Sequence, residues 1–194
     1  GNTKRDTVQG ILDLVPVASS DCIRIATTTL SSGASSITMD NCFSATYTYY
    51  MVKCVLMGDG AIYPRLRLLD SSGAELSGSY WSWTGTMAYR SSGASGVGAS
   101  SQWTGDYFSP EEMIHSNDAN RKNMWDMIIV DPYDSGWDCS IRSYANFWDG
   151  TYVRVVDSAG AYATHATYRG FKLYVNSGNL LSGTEISVYA LKRS

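Results

Sequence analysis

His115 and His165 are the two imidazoles in the chain, and general-base or nucleophilic chemistry would depend on them. His165 sits in the alternating stretch YATHATY, which predicts a solvent-facing or core-edge strand position. His115 follows SPEEMIH and precedes the polar SNDANRK, a loop setting. The chain contains no GxSxG elbow, HExxH pair, phosphate-binding glycine loop or dinucleotide fingerprint. Carboxylates are more plentiful: Glu111, Glu112, Asp118, Asp126, Asp134, Asp138 and Asp149 supply enough to imagine a glycosidase pair. Yet Glu111 and Glu112 suit the electrostatics of a helix start, and the aspartates mostly occupy turns, where they bond their own backbone. NDAN resembles half of a calcium loop without its glycine and closing glutamate. Cys22, Cys42, Cys54 and Cys139 form no CxxC pair and, with two histidines, make no zinc site. Cys54 and Cys139 take apolar phases of alternating segments and read as buried thiols; a Cys22–Cys42 disulfide is the alternative for the other two. We therefore expect no catalytic residues, no metal and no cofactor.

The aromatic residues point elsewhere. Six tryptophans and fourteen tyrosines are many for 194 residues. YWSWTG puts Trp81 and Trp83 on one face of a strand, Trp103 follows a Gly/Ser stretch with Tyr107 close behind, and Trp137 and Trp148 border turns. Aromatic faces near Asp and Asn make platforms for sugar rings, whose C–H faces stack while their hydroxyls reach polar groups. Trp81, Trp83, Trp103 and Tyr107 are thus the candidate glycan platform. The competing expectation is that tryptophans fill the core and subunit contacts, which favour the same residue types.

Elements of period two must position these side chains. In YTYYMVKCVLM, Tyr50, Val52, Cys54 and Leu56 share a face opposite Lys53. YPRLRLLD sets Leu66 and Leu68 against Arg65 and Arg67, and WDCSIRSYANFWD sets Cys139, Ile141 and Ala145 against Asp138, Arg142 and Asn146. TYVRVVD is expected to turn Val153 and Val155 inward. Near the end, Phe171, Leu173 and Val175 face in from one strand of a closing hairpin, and Ile186, Val188 and Ala190 from the other. These runs favour Val, Ile, Thr, Tyr and Trp, and MGDG, DSSG, DPYDSG, DSAG and NSGNLLSG punctuate them. Short strands with one apolar face pack as two facing antiparallel sheets. The expectation is an all-β, jelly-roll-like antiparallel β-sandwich over 1–194, with one short helical turn near 110–115. That turn would be capped by Ser109 and opened by Pro110. Residues 1–10 are expected to be an arm or a remnant of cloning, and 90–108 a long Gly/Ser-rich loop.

Composition narrows the class. The 44% hydrophobic and 17% charged fractions belong to a folded globular protein. Its net charge of -3, without a basic run, argues against nucleic acid as a partner. No stretch approaches the roughly twenty apolar residues of a membrane span, and GNTKRDTVQG lacks the apolar region of a secretion signal.

The ending FKLYVNSGNLLSGTEISVYALKRS resembles the C-terminal signature of a family of bacteriophage tail and virion-surface proteins. Ser177, Gly178, Asn179, Ser182, Gly183 and Val188 to Lys192 carry the likeness. Upstream, Leu66 to Leu69, Ser72 and Gly73 resemble the family's Leu-Arg-Leu-Arg strand and Ser-Gly turn. Ala190 departs from the pattern, standing where the family usually has Gly. The resemblance covers about half the chain. It implies a sandwich whose first and last segments pair, in a virion protein that is commonly an oligomeric, often trimeric, knob or fibre domain. The expected role is structural and non-enzymatic, in a tail fibre, spike or head fibre assembled in the host cytoplasm, where free thiols persist. Its partners would be further copies, other virion proteins and a host cell-surface glycan or protein. The alternatives are a purely architectural virion component without ligand and, from another class, a carbohydrate-binding module or glycosidase fragment.

Overall fold

A computed structural model describes residues 22–78, 81–90, 95–110, 114–115, 121–148 and 153–192. Among them the alternating pattern becomes thirteen strands and no helix. In chain order these are β1 (Cys22–Thr29), β2 (Ser36–Met39), β3 (Tyr47–Leu56), β4 (Ala61–Ile62), β5 (Pro64–Asp70), β6 (Trp81–Arg90) and β7 (Ser95–Gly105). They continue with β8 (Ile114–His115), β9 (Asn123–Val130), β10 (Cys139–Trp148), β11 (Val153–Tyr162), β12 (Tyr168–Val175) and β13 (Glu185–Lys192). Eight form one sheet in the order β1-β13-β3-β9-β10-β11-β6-β7, and three form a second, β2-β12-β5. A two-stranded pair, β4-β8, lies apart. The architecture is an antiparallel β-sandwich with unequal layers.

The core is the seam that the alternation predicts. From the large sheet, Tyr50, Val52, Cys54 and Leu56 of β3, Trp125, Met127 and Ile129 of β9, and Cys139, Ile141, Ala145 and Phe147 of β10 are buried. From the small sheet, Leu66 and Leu68 of β5 and Phe171, Leu173 and Val175 of β12 join the same cluster. Burying a side chain of this size removes it from water at a gain of about 1.5–3 kcal/mol, so the shared seam is the main force holding the layers together. β13 lies between β1 and β3, so the first and last described strands are hydrogen-bonded neighbours. Ala190 is fully buried there.

Several expectations are corrected. The closing segments are not a hairpin: β12 belongs to the small sheet and β13 to the large one. The link between them crosses from layer to layer, pinned by buried Leu180, whose backbone bridges Ala34 and Gly58. Gly178 and Gly183 turn it with φ of 65° and 88°, where a side chain would be strained. In these two strands the residues expected to face inward do so; alternation revealed the phase of β12 and β13 but not their partners. Ser109 does not cap a helix: its hydroxyl donates to the Pro64 carbonyl at 2.9 Å, and Ile114–His115 pair with β4 as β8. Residues 111–113 of that predicted turn lie outside the described residues. Of the 90–108 stretch expected as a loop, Ser95–Gly105 form edge strand β7, in antiparallel register with β6, and 91–94 lie outside the described residues.

β11 is inverted relative to expectation. Val153 is 49% exposed while Val156 is buried, so the inward face runs through Val156, Ser158, Gly160 and Tyr162. The reason lies on the neighbouring strand. A Cβ at Gly160 would stand 2.6 Å from the Trp83 Cβ and 2.8 Å from the Ser82 carbonyl oxygen, so the close approach of β6 leaves no room for a side chain there. Cys42, Cys54 and Cys139 are unbridged, buried thiols, and the Cys42 thiol donates to the Met39 carbonyl, which removes the Cys22–Cys42 disulfide.

Candidate functional site

The predicted tryptophan platform does not form on the surface. Trp81 and Trp83 share a strand face, as expected, but it is the inner one: they are 0% and 3% exposed. Trp81 packs edge-on against Tyr162 with ring centroids 5.0 Å apart, and both tryptophans flank Phe108. On the other side Phe108 stacks on Trp125, at 6.2 Å and 13° between planes. These rings fill the core and present no face to a ligand. Trp103 lies within β7, and its side chain is outside those described. Among the described tryptophans, Trp137 is the most open at 68%, and Trp148 is covered by the Arg121 guanidinium, 3.8 Å from its centroid.

Tyr107 remains, and its surroundings form a cleft. Phe108 is buried and exchanges backbone hydrogen bonds with Leu66 at 2.8 and 2.9 Å, which fixes the chain beside β5. Its neighbours Tyr107 and Ser109 then line a depression of about 240 Å³ together with Tyr63, Arg65 and Asn176. Alternation places Arg65 here: Pro64, Leu66 and Leu68 point into the core, so Arg65 and Arg67 point out. The Arg65 guanidinium carbon sits 4.1 Å from the Tyr107 ring centroid, a cation–π contact. Asn176, just after β12, accepts the Tyr63 N–H on its Oδ1 at 2.9 Å, and its own N–H reaches the Tyr63 carbonyl. That reciprocal bond holds Tyr63, which is 37% exposed, at the rim. The cleft thus brings together two phenol rings, a guanidinium, a carboxamide and a hydroxyl from three separate chain segments.

Next to it the outward face of the small sheet is heavily charged. Arg67 pairs with both Asp106 and Glu75, its Nε also donating to the Asp106 carbonyl, and Lys172 pairs with Glu75. Arg67 also lies over the Tyr174 ring, 4.9 Å from the centroid. The Tyr174 hydroxyl is shielded from solvent and has no hydrogen-bond partner among the described residues. Its desolvation holds the phenol above its ordinary pKa.

The candidate catalysts are scattered. His165 is exposed and 3.2 Å from Asp138, Asp126 pairs with Lys53 on the far sheet, and Asp134 accepts the Gly136 N–H in its own turn. The His115 side chain and Glu111, Glu112, Asp118 and Asp149 are outside the described residues. Among the described residues, no three His, Cys, Asp or Glu side chains converge as a metal site, and no helix is long and apolar enough to cross a membrane. Tyr63, Arg65 and Asn176 escaped the sequence reading as site residues. The one signal for them was the outward phase of Arg65 in YPRLRLLD; Asn176 read as an ordinary turn residue.

Fold and cleft define an all-β sandwich with a small polar and aromatic depression beside its minor sheet. Comparison with protein-family models, curated proteins and solved structures finds no match to this chain.

Proposed function

We propose that this protein is a structural component of a bacteriophage virion, a tail fibre, spike or head-fibre domain, that attaches to a saccharide on the bacterial surface. The observation that carries the attachment role is the Tyr107 cleft. Sugar recognition calls for aromatic C–H stacking and short polar side chains in one concavity, and Tyr63, Tyr107, Asn176 and Ser109 supply these together. The phage assignment rests on the resemblance of the closing segment. The role is binding, not catalysis, and the protein resides in the virion beside other virion proteins. A fluorescently labelled protein tested on a panel of bacterial cells should bind a susceptible strain. Tyr107→Ala should reduce that binding at least tenfold with the melting curve unchanged. Equal binding by the variant would remove the cleft from attachment.

A second reading, the purely architectural one, draws on the outer face of the large sheet. Tyr49, Ile128 and Tyr144 are 48%, 47% and 47% exposed there, in adjoining strands with Met51 and Tyr189. An apolar surface of this kind marks an interaction site. The Lys53–Asp126 and Arg142–Asp157 pairs on this face balance its charge, so a second copy, turned to set opposite signs together, is the occupant it fits. The oligomer, a trimer by the family resemblance, would form on this surface. Sedimentation should return a multiple of the chain mass, reduced to monomer by Ile128→Asp. A monomeric wild type would end this reading.

A further inference from the structure

We infer that the Tyr107 cleft selects a carboxylate-bearing sugar, a uronic acid or a related acidic residue, over a neutral one. The inference rests on the attachment reading above and deepens it. The small sheet presents four cations outward, Arg65, Arg67, Lys172 and, at the β12 bulge, Arg169. Arg67 and Lys172 engage Glu75 and Asp106 between them, and Arg169 pairs with Asp40. Among the described residues no carboxylate lies within ion-pair distance of Arg65, whose guanidinium rests instead on the Tyr107 ring. Among the described residues, the cation on this face without a carboxylate partner is the one that lines the cleft.

The geometry matches the chemistry of an acidic sugar. The ring contact holds the Arg65 guanidinium at the cleft, and a carboxylate takes a guanidinium fork through two parallel hydrogen bonds. Arg65 is half-buried, so salt screens this charge less than it would a fully exposed one. The remaining groups suit the rest of a pyranose. Tyr63 offers apolar ring surface at the rim, and Asn176, with its Oδ1 committed to the Tyr63 N–H, keeps its amino group to donate to a sugar oxygen. A neutral hexose would leave the Arg65 charge without a counterpart and forfeit the strongest contact in the cleft.

The test is calorimetric titration of the intact protein with trigalacturonate and with its methyl ester, which keeps the sugar and removes the charge. Wild type should bind the acid at least about tenfold more tightly than the ester, as a charge-assisted pair implies. Arg65→Met should abolish that preference, so that the variant binds acid and ester alike, with the melting temperature unchanged. Tyr63→Ala should weaken both ligands alike. Equal binding of acid and ester by wild type, or a preference that survives Arg65→Met, overturns the inference while leaving the attachment reading standing. Failure of both saccharides to bind, together with loss of cell binding in Tyr107→Ala, likewise overturns it and leaves attachment intact. If neither saccharide binds and Tyr107→Ala still attaches to cells, both readings fall.

Discussion

Arg65 and Arg67 stand two positions apart on one strand, carry the same charge and face the same way, yet their neighbours give them different work. Arg67 meets two carboxylates and ties the small sheet to the Asp106 and Glu75 segments. Arg65 meets a ring and a cleft. Chemical type alone is equally uninformative for the tryptophans, since Trp81 and Trp83 spend their area on the core. The cysteines show the same dependence on place. Burial pushes the Cys42 thiol up to about 12 and drives Cys54 and Cys139 further in the same direction, so thiolate at neutral pH is suppressed at all three. Iodoacetamide at pH 8 should therefore leave Cys42, Cys54 and Cys139 unmodified in the native protein. All three should label within minutes in urea, as read by peptide mass spectrometry. Labelling of native Cys54 at the denatured rate would contradict its placement in the seam.

At the scale of elements, the small sheet depends on how closely β2 approaches β12. Gly170 sits at a register shift between β12 and β5, and a Cβ there would overlap the Met39 carbonyl oxygen of β2. Backbone cannot yield as a side-chain tip can, so Gly170→Ala should destabilise the protein by about 1–3 kcal/mol in urea denaturation. Gly33→Ala, whose added methyl would lie 3.6 Å from its nearest neighbour, should cost much less. Equal midpoints for the two variants would show that β2 does not pack as described. Strand phase was legible wherever polar and apolar residues alternate cleanly, as in β3, β5, β10 and β13. It failed in β11, because the inward positions there include Ser158 and Gly160, which lie close against Gly85 and Trp83 of β6, and small residues carry no phase of their own. β7 went unread for a similar reason: Ser, Gly and Ala signal a loop by composition, while an edge strand needs only backbone pairing.

At the scale of the whole molecule, alternation reports which face of a strand is buried and says nothing about which sheet receives it. That is why β12 and β13 read as a hairpin although they lie in opposite layers. It is also why the cleft could not be assembled in advance. Tyr63, Tyr107 and Asn176 are far apart in sequence and meet because β5 and β12 pair while Phe108 anchors its segment to Leu66. The molecule that results offers two distinct surfaces: a polar cleft beside the minor sheet and an apolar expanse on the outside of the major one. We propose attachment for the first and self-association for the second. The two roles are separated most directly by amide chemical-shift mapping of the isotope-labelled protein during titration with polysaccharide from a bound bacterial strain. Perturbations should be confined to residues around Tyr63, Arg65, Tyr107 and Asn176 and should saturate with added saccharide. Perturbations clustered on Tyr49, Met51 and Ile128, or none at saturating saccharide, would contradict attachment at the cleft.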